Sequence, residues 1–333
     1  MKVWLVFIVL SMGFLAKAQE PQGVPKEIID TYPAPNVNPL VVQETHLYDR
    51  IYRRVTDNLA MYDSPGGSLA QNWGVGFNYV TLLSEPQGDW TQITQDRWVA
   101  TNTLSTDVAI SRFAGVRLDE ELPYPMAWLL RHVRPSSAPG LDQDPNNPFL
   151  YRYTRVSLYS FVEIDGFRWY QIGINQWVHQ FNVAKIVPIE KPEGVETSKW
   201  VSIDLYEQVL IAYEDEKPVF STLISSGLPQ WSTNEGLFNV YVRYERTLMS
   251  GAYDKPDFYY LEEVPYTMYF DGDIGLHGTY WHDGFGYRQS HGCVNLSITD
   301  ARWLYGWSSD TRDFSNPESK DLSVYVYSSG EYQ

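Results

Sequence analysis

The sequence predicts a mainly β protein: two small β units in the N-terminal half, then a β-rich C-terminal domain with a few short helices. Three observations predict it. Among 333 residues there are 12 Trp, 25 Tyr and 14 Phe, punctuated by 20 Pro and 23 Gly, a composition that suits short strands and turns better than long helices. Apolar residues alternate over short runs such as Val201, Ile203 and Leu205, the period of a strand with one covered face. A pattern W-x-Q-I…W-V also occurs twice with the same internal spacing, from Trp90 to Val99 and, 79 residues later, from Trp169 to Val178.

The chain opens with the features of an export signal. Lys2 provides a positive start, Val3 to Leu10 is a continuous apolar run, and Ala16-Lys17-Ala18 has the small-x-small form of a cleavage site, so residues 1–18 are expected to be removed. The run is short for a membrane span, which takes about 20 residues, so no membrane association is expected after cleavage. Pro21, Pro25, Pro33, Pro35 and Pro39 mark residues 19–45 as an extended linker.

Each repeat copy follows a similar turn, Ser64-Pro65-Gly66 or Ala138-Pro139-Gly140, and holds a strand pattern, Val80-Thr81-Leu82 or Val156-Ser157-Leu158. Small antiparallel units bounded by Gly and Pro are expected at 46–108 and 109–190. They resemble bacterial SH3-like β-barrel modules, on the strength of strand patterns and paired tryptophans. Pro188 and Pro192 lie in a polar stretch that suits a boundary, and the C-terminal domain is placed at 199–328. It begins as a meander through Val209–Tyr213 and Val219–Ile224, with further alternation at Phe238–Tyr244, Thr267–Phe270 and Leu322–Tyr327. One helix is expected after Ser297, an N-cap residue type, with Asp300 in its first turn and Ala301 to Trp307 beyond.

Composition excludes some functions. Apolar residues at 44% and charged residues at 20% argue against general disorder. The formal charge is −16, and loss of Lys2 and Lys17 leaves 23 basic residues against 41 acidic ones. Such a surface repels nucleic acid and anionic membranes. Cys293 is the single cysteine, so no internal disulfide forms. In an exported chain a leftover thiol signals intermolecular pairing or reactivity, against the plain alternative of a small buried apolar side chain.

The surroundings of Cys293 favour reactivity. Leu276-His277-Gly278-Thr279 is followed by Ser290-His291-Gly292-Cys293-Val294-Asn295, so a thiol and two motif histidines fall within seventeen residues. Thiol acyl transfer needs a nucleophilic sulfur, a base and donors for the oxyanion. A free thiol is only slightly ionised at neutral pH, so a histidine must lower its pKa or take its proton. Gly292 lets a carbonyl approach the turn's backbone N–H groups.

These two segments resemble the catalytic signature of the YkuD-type L,D-transpeptidases, and the stretch from about Lys199 to Tyr327 resembles their catalytic domain. Gly236-Leu237-Phe238 and Asp300-Ala301 fit the resemblance; Thr233-Asn234-Glu235-Gly236 departs from the usual Thr-Pro-x-Gly turn. The resemblance implies Cys293 as nucleophile and His277 as proton donor and acceptor. His291 and Ser290 then support the turn, Gly292 and Cys293 offer oxyanion N–H groups, and Asn295 holds the loop or touches substrate. It also implies a cofactor-free peptidoglycan enzyme outside the cytoplasm, in the wall, the periplasm or at the surface of a bacterium. Its donor and acceptor are stem peptides, D-Ala is released, a 3–3 cross-link forms through a thioester, and a carbapenem adduct becomes possible. Water as acceptor makes the same site an L,D-carboxypeptidase. A zinc site built from His277, His282, His291 and Cys293 matches no familiar ligand spacing. A wall-peptide cysteine peptidase places its cysteine before its histidine, the reverse of the order here. A wall-binding protein without activity is expected to have lost Cys293 or His277.

Overall fold

The structure is a computed structural model that describes residues 23–86, 88–253, 255–316 and 318–331. The expected export signal, residues 1–18, lies outside them. Strand accounts for 41% and helix for 9%, which makes the protein mainly β.

The C-terminal domain is built on two sheets. A seven-stranded sheet runs, from edge to edge, through Asn38–Pro39, Val116–Arg117, Lys217–Leu223, Val209–Glu214, Lys199–Asp204, Ser323–Tyr327 and Gly236–Asn239. The meander from Lys199 to Leu223 is antiparallel, and Ser323–Tyr327 joins Lys199–Asp204 in parallel. The second sheet carries Val294–Ser297, Ile274–Thr279 and the long strand Tyr259–Asp271, which also pairs with Val242–Gly251. The largest core draws on both: Val201, Ile203 and Leu210 from the first, Met268, Leu276, Val294 and Leu296 from the second. Helix Ile298–Trp307 adds Ala301 and Leu304. It begins where the chain predicts, since Ser297 Oγ accepts the Asp300 N–H at 3.1 Å and satisfies a donor that the helix start leaves open.

The repeat is structural. In the first copy Trp90 faces Ala100 and Gln92 faces Trp98; in the second Trp169 faces His179 and Gln171 faces Trp177. The turn residues Asp96 and Asn175 both adopt positive φ, 52° and 51°, which short polar side chains tolerate. A 3₁₀ turn then follows each hairpin, at Thr101–Thr103 and Gln180–Asn182, and leads into a strand, Leu104–Ser105 or Val183–Lys185.

No closed barrel forms among the described residues. In the first unit the reason is a strand supplied from outside. Phe77–Leu82 pairs with Ile51–Val55 on one side, while on the other its N-terminal half pairs in parallel with Tyr259–Leu261 of the C-terminal domain. One eleven-stranded sheet therefore runs across both. The second unit divides into two three-stranded sheets, Met126–Leu129 flanked by Arg155–Ser157 and Val183–Lys185, and Phe167–Gly173 flanked by Ser160–Ile164 and Gln176–His179.

Residues expected as an extended linker are docked. Lys26–Thr31 is a helix, Val24 N–H donates to Gln171 Oε1 at 2.7 Å, and Asn38–Pro39 forms the edge of the seven-stranded sheet. Buried contacts tie the first unit to the C-terminal domain as well. Tyr52 stacks on Tyr280 at 3.7 Å, and the buried Glu262 carboxylate accepts from Thr81 N–H at 2.9 Å and Thr94 Oγ1 at 3.0 Å.

Candidate active site

The adjacent parallel strands Ile274–Thr279 and Val294–Ser297 set the site. Their register places Leu276 beside Val294 and His277 beside Asn295. Side chains alternate along a strand, so Leu276, Val294 and Leu296 enter the core while His277 and Asn295 share the opposite face. Cys293 directly precedes its strand and lies two residues from Asn295, on that same side of the pleat.

The loop before Cys293 is clamped by its own polar groups. Ser290 Oγ donates to Cys293 O at 2.5 Å and accepts the Gly292 N–H at 3.1 Å. Thr233 Oγ1 donates to Gly292 O at 2.7 Å and accepts Gly227 N–H at 3.0 Å. Gly292 has φ 118°, a conformation that side-chain-bearing residues rarely adopt. Because its N–H is held by Ser290, an oxyanion role for Gly292 requires that bond to open. His291 faces the cleft mouth, stacked on Trp231 at 3.9 Å with Nε2 3.6 Å from Asp257 Oδ2.

Burial acts on both Cys293 and His277. Burial lowers His277 to about 4, opposed in part by its bond to Gly278 O. Burial raises the Cys293 thiol to about 11; Gly275 N–H opposes this and Asp273 adds to it. His277 Nδ1 lies 3.0 Å from Gly278 O, and a carbonyl can only accept, so Nδ1 carries the proton and Nε2 keeps its lone pair. The thiol points toward Asp273 O at 3.6 Å.

His282 is drawn into the same cluster. Its Nδ1 accepts Gly284 N–H at 2.9 Å and its Nε2 lies 2.8 Å from the Asn295 carboxamide. Burial and the neighbouring His277 and Arg152 hold it at about 3. Its two nitrogens are thus engaged by backbone and amide, and among the described residues no group of three or more His, Cys, Asp or Glu is placed to hold a metal ion. Of the aromatics between His277 and Cys293 in the chain, Trp281 lines the cleft. Tyr280 is fully buried and donates to Glu262 O at 2.7 Å; Tyr287 donates to Leu130 O at 3.2 Å.

Two cavities meet at Cys293, one of about 550 Å³ and one of about 510 Å³. Trp231, Asp257, Tyr259, Asp273 and His291 border both. Apart from His291, sequence reasoning missed these residues, because they come from segments far from the motif and carry no local pattern of their own.

Residues 198–320 match the YkuD family, the L,D-transpeptidase catalytic domain. YciB of Bacillus subtilis (strain 168), whose name places it among L,D-transpeptidases, is 27% identical over 129 residues, 35% of this chain. The chain spans 64% of that curated relative's length. Among solved structures, the catalytic domain of the E. faecium L,D-transpeptidase is 27% identical, with a TM-score of 0.33; 40% of this chain and 100% of that one are covered. The same domain acylated by ertapenem gives the same four values, 27%, 0.33, 40% and 100%. The L,D-transpeptidase of Stackebrandtia nassauensis is 27% identical over 43% of this chain and 60% of its own, with a TM-score of 0.30.

Proposed function

We propose that this chain is an exported peptidoglycan L,D-transpeptidase that forms 3–3 cross-links through a Cys293 thioester. The observation that carries the reading is the placement of His277 and Cys293 on the same side of two adjacent parallel strands, with His277 Nδ1 fixed by Gly278 O, inside a region matching the family. Cys293 Sγ attacks the carbonyl that joins the L-centre of a diamino acid to D-Ala, and His277 Nε2 takes the thiol proton. The C–N bond breaks, the D-Ala amine leaves with that proton, and a thioester remains. An amine of a second stem attacks the thioester, passes a proton to His277, and the thiol reforms as the new amide is released. Each half-reaction returns the proton it borrows.

Residues 46–108 and 109–190 are read as SH3-like modules, supported by the shared hairpin register and 3₁₀ turn. The site of action is the wall, the periplasm or the cell surface, after removal of residues 1–18.

Mass spectrometry of products from purified stem tetrapeptide tests the reading. Free D-Ala with a dimer joined 3–3 is the expected result. Free D-Ala with tripeptide alone assigns the chain to L,D-carboxypeptidase action, and intact tetrapeptide overturns both. Ertapenem serves as a second reagent, with an adduct expected on the peptide that carries Cys293.

A further inference from the structure

We infer that Phe77, supplied by the first N-terminal unit, is a specificity-determining residue that contacts the donor stem peptide; the inference rests on the peptidoglycan reading above. Phe77 lies opposite Tyr259 in parallel register, and its N–H donates to Phe258 O at 2.9 Å. Tyr259 in turn borders both cavities at Cys293. Phe77 is therefore one strand spacing, about 4.8 Å, from a residue beside the nucleophile. Asn78, Tyr79, Val80, Thr81 and Leu82 are all buried, whereas Phe77 stays 40% exposed and lines the larger cavity. Gly76 makes this approach feasible, since a Cβ there would sit 2.6 Å from Phe258 O.

The cavity bordered by Phe77 is the one that also holds Trp281, His282 and Asn295. Trp281 packs on His277 with ring centres 5.6 Å apart. Cys293 lines the same cavity, so a peptide lying from Phe77 toward Trp281 passes the thiol, with His277 behind the Trp281 ring. Phe77, Trp281, His282 and Asn295 are all absent from the walls of the second cavity. An exposed ring at that entrance suits the methyl and methylene groups of a short peptide.

The test uses the full chain and stem tetrapeptide, with D-Ala release as the readout and no added acceptor. Aromatic contacts of this kind predict that Phe77→Ala raises KM about three- to tenfold, with kcat within about twofold. Phe77→Tyr is expected to retain the wild-type KM. Alkylation of Cys293 by iodoacetamide, which needs no peptide contact, is expected to proceed at the wild-type rate in both variants. An unchanged KM in Phe77→Ala, or a defect that Phe77→Tyr shares, overturns the inference. If Phe77→Ala does not fold, Phe77→Leu replaces it, with a smaller rise in KM expected and an unchanged KM again overturning. A wild-type chain that releases no D-Ala overturns the peptidoglycan reading itself and takes the inference with it.

Discussion

Asn295 binds His282 through its carboxamide at 2.8 Å while its main chain lies in register beside His277. The atoms must be assigned from the hydrogen bonds around them. His282 Nδ1 already accepts from Gly284, so the neutral ring carries its proton on Nε2 and donates. Asn295 then presents Oδ1 to it, which turns the otherwise partnerless buried atom into an N–H donor aimed away from His282. Asn295 is thus a positioning group, and Asn295→Ala is expected to cost about 1–3 kcal/mol of stability by orphaning His282 Nε2–H. Asn295→Asp keeps an acceptor but puts a negative charge near the thiol, so its activity is expected to shift toward higher pH. A stability loss of a few tenths in the alanine variant and an unmoved pH profile in the aspartate variant would refute this placement.

The thiol's position near 11 predicts slow chemistry with simple alkylating reagents. At neutral pH the thiolate fraction is on the order of 10⁻⁴. Iodoacetamide labelling of Cys293 is expected to accelerate about tenfold per pH unit and to level off only near pH 11. Fast labelling that is flat from pH 6 upward would instead reveal a standing ion pair with His277.

Substitutions separate the two buried histidines. Cys293→Ala is expected to abolish D-Ala release with the fold intact. His277→Ala is expected to lower turnover by about 10²–10⁴-fold, the usual worth of a general base. His282→Ala, which removes support rather than the proton acceptor, is expected to cost less than His277→Ala. Equal, mild losses for both histidines would unseat His277 as the base.

Glu262 predicts a pH-dependent stability. Burial raises this carboxyl to about 7, opposed by bonds from Thr81, Thr94 and Tyr260. A carboxyl whose folded pKa exceeds its unfolded value contributes stability in full below about 4.5 and loses it as pH rises through about 7. Denaturant unfolding is therefore expected to show a decline on the order of 3 kcal/mol across that window from this group. His277 and His282, held at about 4 and 3, act in the other direction: their contribution is present above about 6.5 and is lost as pH falls. Glu262→Gln should remove the decline on the alkaline side and leave the acid limb in place. A variant with the same pH curve as wild type would rule Glu262 out as its source.

What was legible in the sequence was local. His277, Ser290, His291, Gly292, Cys293 and Asn295 stand close together in the chain, so the motif and its resemblance single them out as one candidate set without any knowledge of the fold. The cap at Ser297 and the hairpins around Trp90 and Trp169 were readable for the same reason, since a turn and its flanking strands carry their own pattern. Phe77, Trp231, Asp257 and Tyr259 were not legible. They reach the site through pairings between distant segments, and a strand's alternation says which face is covered but not by whom. The prolines between 19 and 45 suggested an extended tether; they do not reveal that Asn38–Pro39 finds a free sheet edge at Val116–Arg117. Prolines are tolerated at such an edge, where no ladder N–H is required.

The parallel pairing of Phe77–Tyr79 with Tyr259–Leu261 also bears on how the chain comes together. Thr81 and Glu262 are 181 positions apart, so in a polypeptide made from its N-terminus the first unit waits through most of synthesis with part of one strand edge bare. Loop closure over that span has an entropic cost before any contact repays it, and such topologies fold slowly. A bare edge is also where chains pair wrongly with one another. The Tyr259–Leu261 segment, whose Tyr259 borders the cleft, thus doubles as the cover for that part of the edge.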